Sequence, residues 1–481
     1  MTEYEAVVGM EVHAQLSTRS KMFCGCSAEA FGAPPNSNVC PTCLGLPGAL
    51  PVANRRAVEQ TILVGLALHC RIASDAVFAR KNYFYPDLPK GYQVSMYELP
   101  LCLEGWLEIE DEAGTPRRIR IRRVHLEEDT AKLFHAGDHS LVDLNRAGLP
   151  LIEIVTEPDI RTPEEARQYL TRLRSILRSL GVSTADMEKG AMRCEANVSL
   201  RPAGSETLGT KVEVKNLNSF RAVKQALDYE IARQGRRLAA GEAVRQVTMG
   251  WDEARGRTVE QRAKEESEDY RYFPEPDLPP LHVSPEWLAE VAARLPELPD
   301  ERRRRFVAEY GLSETDAALL AQDREVADYF EAAANAARER RIPARSVGNW
   351  IGGELFRLLN EAGTGVGQVR VTPEALAELV ALVEGGQVTA NSGKAALAAM
   401  FATGQGAAAV VQEQGLAQVS DEEALARVVD EVLLRHADEV AGYRAGKETL
   451  LQWFVGQVMR ATRGKANPQV VVALLEQKLK E

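Results

Sequence analysis

The sequence predicts an α+β protein with an all-helical second half, and three observations carry that expectation. Up to about residue 290, strand-like runs are interspersed with long loops and a few strongly signalled helices. Beyond that point, Ala-, Leu-, Glu- and Arg-rich runs such as Trp287 to Leu295 and Asp300 to Glu309 keep helical spacing. Near Gly404 to Gly406 a break precedes a further helical block. The expected organisation is a body over residues 1–290 built on an antiparallel β-sheet with helices, a helical domain over 291–405 and a small helical tail over 406–481.

Each element has its own local reason. In the first strand, period-two alternation puts Glu11, His13 and Gln15 on one face and Met10, Val12 and Ala14 on the other. Cys24, Cys26, Cys40 and Cys43 follow as two short-spaced pairs, a spacing that suits tetrahedral zinc and predicts a structural clip on a Gly-, Pro- and Asn-rich loop. Cys70, Cys102 and Cys194 lack such partners and read as small core residues. Arg118, Arg120, Arg122 and Arg123 precede His125-Leu-Glu127-Glu128-Asp129 and either hold phosphates or form an exposed strand edge. His125 is either a ligand or a hydrogen-bonded core histidine.

A helix opens at Thr162-Pro163-Glu164-Glu165, where a capping hydroxyl, a first-turn proline and acids that complement the dipole coincide, and Gly181 closes it. Ala166, Tyr169, Leu170, Leu173, Ile176, Leu177 and Leu180 make one apolar face. Arg193, Glu195, Asn197 and Ser199 then alternate with apolar residues, as do Lys211, Glu213 and Lys215, before a second helix that starts near Ser219 and runs beyond Ile231. Carboxylates with one imidazole suit Mg²⁺ or Mn²⁺ better than zinc. Two loops, Arg80 to Asp87 and Asp269 to Asp277, combine cations, tyrosines and prolines, and serve either base and phosphate recognition or as plugs over the sheet.

Composition narrows the function classes. The chain has 481 residues, 45% hydrophobic and 26% charged, with a formal net charge of −11, which excludes disorder and weakens any case for nonspecific nucleic-acid binding. No basic and apolar leader opens the chain, so a cytoplasmic location is expected. The uncharged stretch Ala395 to Gln412, interrupted at Thr403 to Gly406, predicts a packing helix and a turn rather than a membrane span. Gly393-Lys394 and Gly464-Lys465 lack the remainder of a P-loop, Gly363-x-Gly-x-Gly367 lacks a dinucleotide fingerprint, and no nucleophile has a recognisable setting.

Six strings together carry a resemblance: Gly9-Met-Glu-Val-His13, Arg80 to Asp87, His125 to Asp129, Ser140 to Arg146, Lys215 to Phe220 and Asp269 to Pro274. They resemble the B-subunit family of the aspartyl/glutamyl-tRNA amidotransferases, and Val455 to Pro468 is similar to that family's small terminal domain. The resemblance implies a cradle-shaped α+β domain, a helical domain and a tail. It implies binding of tRNA mischarged with glutamate or aspartate and ATP-dependent phosphorylation of the side-chain carboxylate. Ammonia would come through a tunnel from the glutaminase A-subunit, with the small C-subunit tying the two together and the cognate non-discriminating aminoacyl-tRNA synthetase as a further candidate partner.

On the matching strings the resemblance assigns catalytic and Mg²⁺-binding roles to Glu11, His13, Glu127 and Glu128, with Asp129 a weaker Mg²⁺ candidate, and a catalytic role to Glu195, which stands where many relatives have Asp. Lys81, Tyr83 and Arg271 are assigned to ATP or the tRNA acceptor end. In the tail, Arg460, Arg463 and Lys465 lie between a helix ending near Ala461 and one starting at Asn467-Pro468, and either grip the body of tRNA or compensate helix charge. Some relatives lack the four clip cysteines, which separates them from the chemistry. Two other readings stay open on sequence: a noncatalytic tRNA-binding scaffold, and a free-standing zinc or magnesium hydrolase.

Overall fold

The computed structural model describes residues 3–111, 113–263, 270–418, 422–462 and 464–480, and it separates into two compact units, Met1–Leu298 and Pro299–Glu481. Strands of the first unit follow in chain order as β1 (Tyr4–Gln15), β2 (Arg71–Ile72), β3 (Asp75–Ala76), β4 (Ala79–Asn82), β5 (Tyr92–Ser95), β6 (Cys102–Glu110), β7 (Pro116–Glu128) and β8 (Lys132–Ala136). They continue as β9 (His139–Asp143), β10 (Pro150–Thr156), β11 (Met192–Pro202), β12 (Val212–Leu217), β13 (Val247–Asp252), β14 (Arg257–Ala263), β15 (Phe273–Pro274) and β16 (Leu281–His282). The helices are α1 (Arg55–Ala67), α2 (Pro163–Ser179), α3 (Phe220–Ala239) and α4 (Pro285–Ala292).

A nine-stranded sheet organises this unit in the order β14-β13-β12-β11-β1-β10-β7-β6-β2. The long first strand sits at its middle, between β10 and β11, so residues that are far apart in sequence meet across it. The expected antiparallel sheet needs one correction, because β12 and β13 run parallel. The reason lies between them: the 20-residue helix α3 is a crossover, and a crossover returns the chain in the same direction whereas a tight turn reverses it. A small sheet β15-β4-β5, the pair β16-β3 and the hairpin β8-β9 complete the sheets described in this unit.

One face of the large sheet is apolar and covered by helices. Met10, Val12, Ala14, Cys194, Ala196 and Val198 are buried there with the inner stripes of α1, α2 and α3. The start of α2 follows from its sequence, since the Thr162 side chain accepts the Glu165 N–H and Pro163 occupies the first turn. Gly181 ends it in a left-handed conformation at φ +64°. Ser219 caps α3 in the same way through the Ala222 N–H. Gly65 lets α1 approach β6 closely, since a Cβ there would lie 2.5 Å from Cys102 Sγ.

The second unit is helical, with α5 (Pro299–Tyr310), α6 (Glu314–Ala321), α7 (Arg324–Glu339), α8 (Ala344–Trp350), α9 (Phe356–Ala362), α10 (Pro373–Glu384), α11 (Ala390–Thr403) and α12 (Ala407–Glu413). The chain ends with α13 (Glu422–Arg435), α14 (Ala437–Arg444), α15 (Leu450–Ala461) and α16 (Pro468–Lys480). Two cores form, one from Phe306 to Val411 and one from Leu425 to Leu479. The turn at Gly404–Gly406 bends the chain by 110° between α11 and α12, yet Ala407, Val410 and Val411 enter the same core as α11. Among the described residues, no single helix is long and apolar enough to cross a membrane.

Candidate active site on the polar face of the sheet

The other face of the large sheet gathers charged side chains in register. His13 on β1 stands opposite Glu153 on β10, which stands opposite His125 on β7. His13 Nε2 lies 3.2 Å from Glu127 Oε1 and 3.5 Å from Glu153 Oε2. One donor atom from each of His13, Glu127 and Glu153 falls within 4.8 Å of the others, a set of the size and chemistry that holds a divalent cation. Burial alone would lower the basicity of the His13 imidazole, but Glu127 and Glu153 outweigh it and raise it, the same pull that two carboxylates exert on any cation placed between them. Glu153 is in turn held well below the usual carboxylate range: burial works to raise it and is overcome by His125 and His13. Ser95 Oγ donates to Glu127 Oε2 at 3.3 Å.

Around this centre the polar face continues. Asn197 Nδ2 donates to Glu11 Oε1 at 2.7 Å, and burial, together with Glu153 and Glu195, raises the Glu11 carboxyl above its usual range. Lys215 Nζ bridges Glu195 Oε2 at 2.9 Å and Glu213 Oε1 at 3.5 Å. A groove of about 670 Å³ opens here, lined among others by Gln15, Arg146, Arg193, Glu195, Lys215 and Asn218.

The two aromatic loops meet, because β4 pairs with β15, and Asn82 receives them through its backbone bond to Tyr270 O (2.9 Å) and its side-chain bond to Arg271 O (2.8 Å). Lys81 Nζ lies 4.8 Å from the Tyr270 ring centre and 5.8 Å from that of Tyr83. Tyr97 and Tyr272 stack at 4.2 Å. Burial first, and then Glu153 and Glu127, raise the Tyr272 hydroxyl; burial, Asp87 and Glu127 do the same to Tyr83, so this wall of rings borders the acidic centre. Arg80 is a structural member of the motif: its guanidinium grips Glu275 through two bonds of 2.7 Å and joins the loops.

The four clip cysteines converge as expected, with one sulfur of each within 4.8 Å of the rest. Tetrahedral zinc with Zn–S near 2.3 Å sets sulfurs about 3.8 Å apart, so this spacing fits. The Cys40 N–H points at Cys43 Sγ (3.1 Å), and Lys21 Nζ lies 3.7 Å from the same sulfur. A hydrogen bond from Cys24, the Cys40 amide and Lys21 pull the Cys43 thiol down to about 4 against the effect of burial.

Comparison with known proteins agrees with this architecture. Residues 6–289 match the family described as the GatB/GatE catalytic domain, and residues 328–479 match the GatB domain. The chain belongs to the GatB/GatE family. A Roseiflexus protein named as the B-subunit of aspartyl/glutamyl-tRNA(Asn/Gln) amidotransferase is 55% identical over 99% of this chain and 98% of its own length. Relatives with the same name from Thermomicrobium roseum, 55% identical over 100% of this chain and 99% of their own, and Dehalococcoides mccartyi, 51% identical over 100% of both, are similarly close.

Within this GatB/GatE chain the residues expected to share one metal fall in different places. His13 and Glu127 are together, and Glu11 lies on the same face of β1 beside Asn197. Glu128 is on the opposite face of β7, where its carboxylate pairs with Lys90 and accepts the Val94 N–H at 3.0 Å. Asp129 accepts from Gln15 (2.7 Å) and Arg193 (2.8 Å). Glu153 was not singled out from the sequence; its signal is a single acid inside the apolar run Leu151-Ile-Glu-Ile-Val155. Arg120 and Arg122 are occupied by Asp159 and Glu157 in paired bonds of 2.7–2.9 Å, while Arg118 and Arg123 lie over Trp106 and Tyr97. In the tail, Arg460 lies in the last turn of α15, which ends at Ala461, and Lys465 precedes α16, as the sequence predicts; Arg463 lies outside the described residues.

Proposed function

We propose that this chain is the tRNA-binding, carboxylate-activating subunit of an aminoacyl-tRNA amidotransferase, converting Glu-tRNA(Gln) or Asp-tRNA(Asn) to Gln-tRNA(Gln) or Asn-tRNA(Asn). The observation that carries the reading is the convergence of His13, Glu127 and Glu153 beside the Lys81 and tyrosine wall, in a chain that aligns end to end with its amidotransferase relatives. A carboxylate resists ammonia until one oxygen becomes a leaving group. The side-chain oxygen attacks the γ-phosphorus of ATP and ADP departs; ammonia then attacks the carbonyl carbon, phosphate leaves and the nitrogen gives up a proton. His13, Glu127 and Glu153 would hold Mg²⁺, which offsets the repulsion between the two anions. Lys81, Tyr83 and Arg271 would face the nucleotide or the acceptor end, with Glu11 and Glu195 flanking the centre.

Further assignments belong to the same reading. The four cysteines hold a structural zinc, the tail residues Arg460, Arg463 and Lys465 grip the body of tRNA, and the glutaminase A-subunit, together with the small C-subunit, supplies ammonia in the cytoplasm. The test is ATP cleavage by the assembled complex. Mischarged tRNA should stimulate it, Glu127→Gln should abolish it, and tRNA binding should persist in that variant; cleavage unchanged by Glu127→Gln removes the metal assignment.

A further inference from the structure

His125 is buried, with 2% of its surface exposed, and faces the same side of β7 as Glu127. Its Nε2 lies 3.4 Å from Glu153 Oε2 and 4.0 Å from Glu127 Oε2. Its Nδ1 is buried and has no hydrogen-bond partner among the described residues. The ring's polar contacts therefore all lie on the Nε2 side, toward the two carboxylates that His13 also faces. His13 keeps 20% of its side chain exposed, so the open side of the centre is at His13 and the closed side at His125. Ser95 Oγ donates to Glu127, and His125 Nε2 stands in the corresponding place at Glu153, 3.4 Å from Oε2.

We propose that His125 is a positioning residue: its Nε2–H holds the Glu153 carboxylate from the closed side, so that Glu153 meets His13 and Glu127 ready to take a divalent cation. The inference rests on the assignment of a metal to His13, Glu127 and Glu153. It gives this buried imidazole the work of an outer partner that fixes a ligand's orientation, the kind of support whose removal weakens metal binding by about 10–100-fold. A ring that merely filled space would do none of that.

The test compares two substitutions that remove the ring alike and differ in the donor they leave. Glutamine places an N–H near the Nε2 position, and leucine places none. The full chain, assembled with its partner subunits, is titrated with Mn²⁺ and free Mn²⁺ is read by electron paramagnetic resonance, with Glu127→Gln as the control. His125→Leu should weaken Mn²⁺ binding about tenfold or more, and His125→Gln should recover most of it. Wild-type affinity in His125→Leu, or a loss in His125→Gln as large as that in His125→Leu, overturns the positioning role while leaving the metal assignment standing. Binding that Glu127→Gln does not change overturns the metal assignment itself, and with it the inference.

Discussion

Asp129 is buried to 3% exposure, and both oxygens of its carboxylate are served: Arg193 and the Thr130 N–H on one, Gln15 on the other, with Arg146 at 3.8 Å. Burial alone would raise its pKa; Arg193 and Arg146 win and hold it below the usual carboxylate range. Asp129→Asn should therefore cost about 1.5–3 kcal/mol of stability at neutral pH, read by chemical denaturation. The sign of the pH effect follows: the wild-type advantage is complete above the unfolded value of about 3.9 and shrinks as pH falls through the lower folded value. An advantage that grows on acidification contradicts this reading. Residue parity explains what was legible here. Alternation placed Glu11, His13 and Gln15 on one face from sequence alone. The same rule separates Glu127 from Glu128, since consecutive strand residues point to opposite faces, and the adjacency of two acids obscured it. Glu153 stayed hidden because a strand buried among neighbours carries an almost continuous apolar run, and only pairing with β1 brings its one acid to His13.

Among the elements, α2 was legible to its first residue and the start of α3 to within a residue or so, because a capping hydroxyl, and for α2 a first-turn proline and a closing glycine, are local chemistry. Leu170 is fully buried on the inner stripe of α2, so Leu170→Ala should destabilise the first unit by about 2–5 kcal/mol in a denaturant titration. Strand direction was not local. The parallel pair β12-β13 follows from the crossover through α3, a relation that the alternation within each strand does not encode. The cysteine clip was legible because two short-spaced pairs bring four thiols to one point. Cys43→Ser, or a strong chelator, should release one zinc per chain, measured by atomic emission, and lower the first unit's melting temperature. Zinc-free protein that melts unchanged contradicts a structural clip.

For the whole molecule, the sequence changes from mixed to all-helical near residue 290, and the two compact units divide at Leu298–Pro299. The glycine break at 404–406 is weaker evidence of a boundary, since α12 remains in the core of α11 and the next core starts at Leu425. Packing decides that, and a glycine-rich turn looks the same inside a core and between cores. The tail offers an electrostatic test at this scale. If the tail grips tRNA as proposed, a chain of net charge −11 must do so through local cations, so Arg460→Ala with Lys465→Ala should weaken tRNA binding and lower the slope of log affinity against log salt by about 0.7–0.9 per lost phosphate contact. An unchanged slope places the tRNA contacts elsewhere.

Activation of a carboxylate by ATP on the polar face of the sheet is the step proposed for this chain. Its most direct measurement is label transfer from γ-labelled ATP to mischarged Glu-tRNA or Asp-tRNA in the assembled complex, with glutamine and ammonia withheld. A Mg²⁺-dependent labelled acyl phosphate, lost in Glu127→Gln and discharged by added ammonia, is the expected result. Tight tRNA binding with no label on the aminoacyl group would contradict it and leave this chain as a scaffold for chemistry performed by a partner.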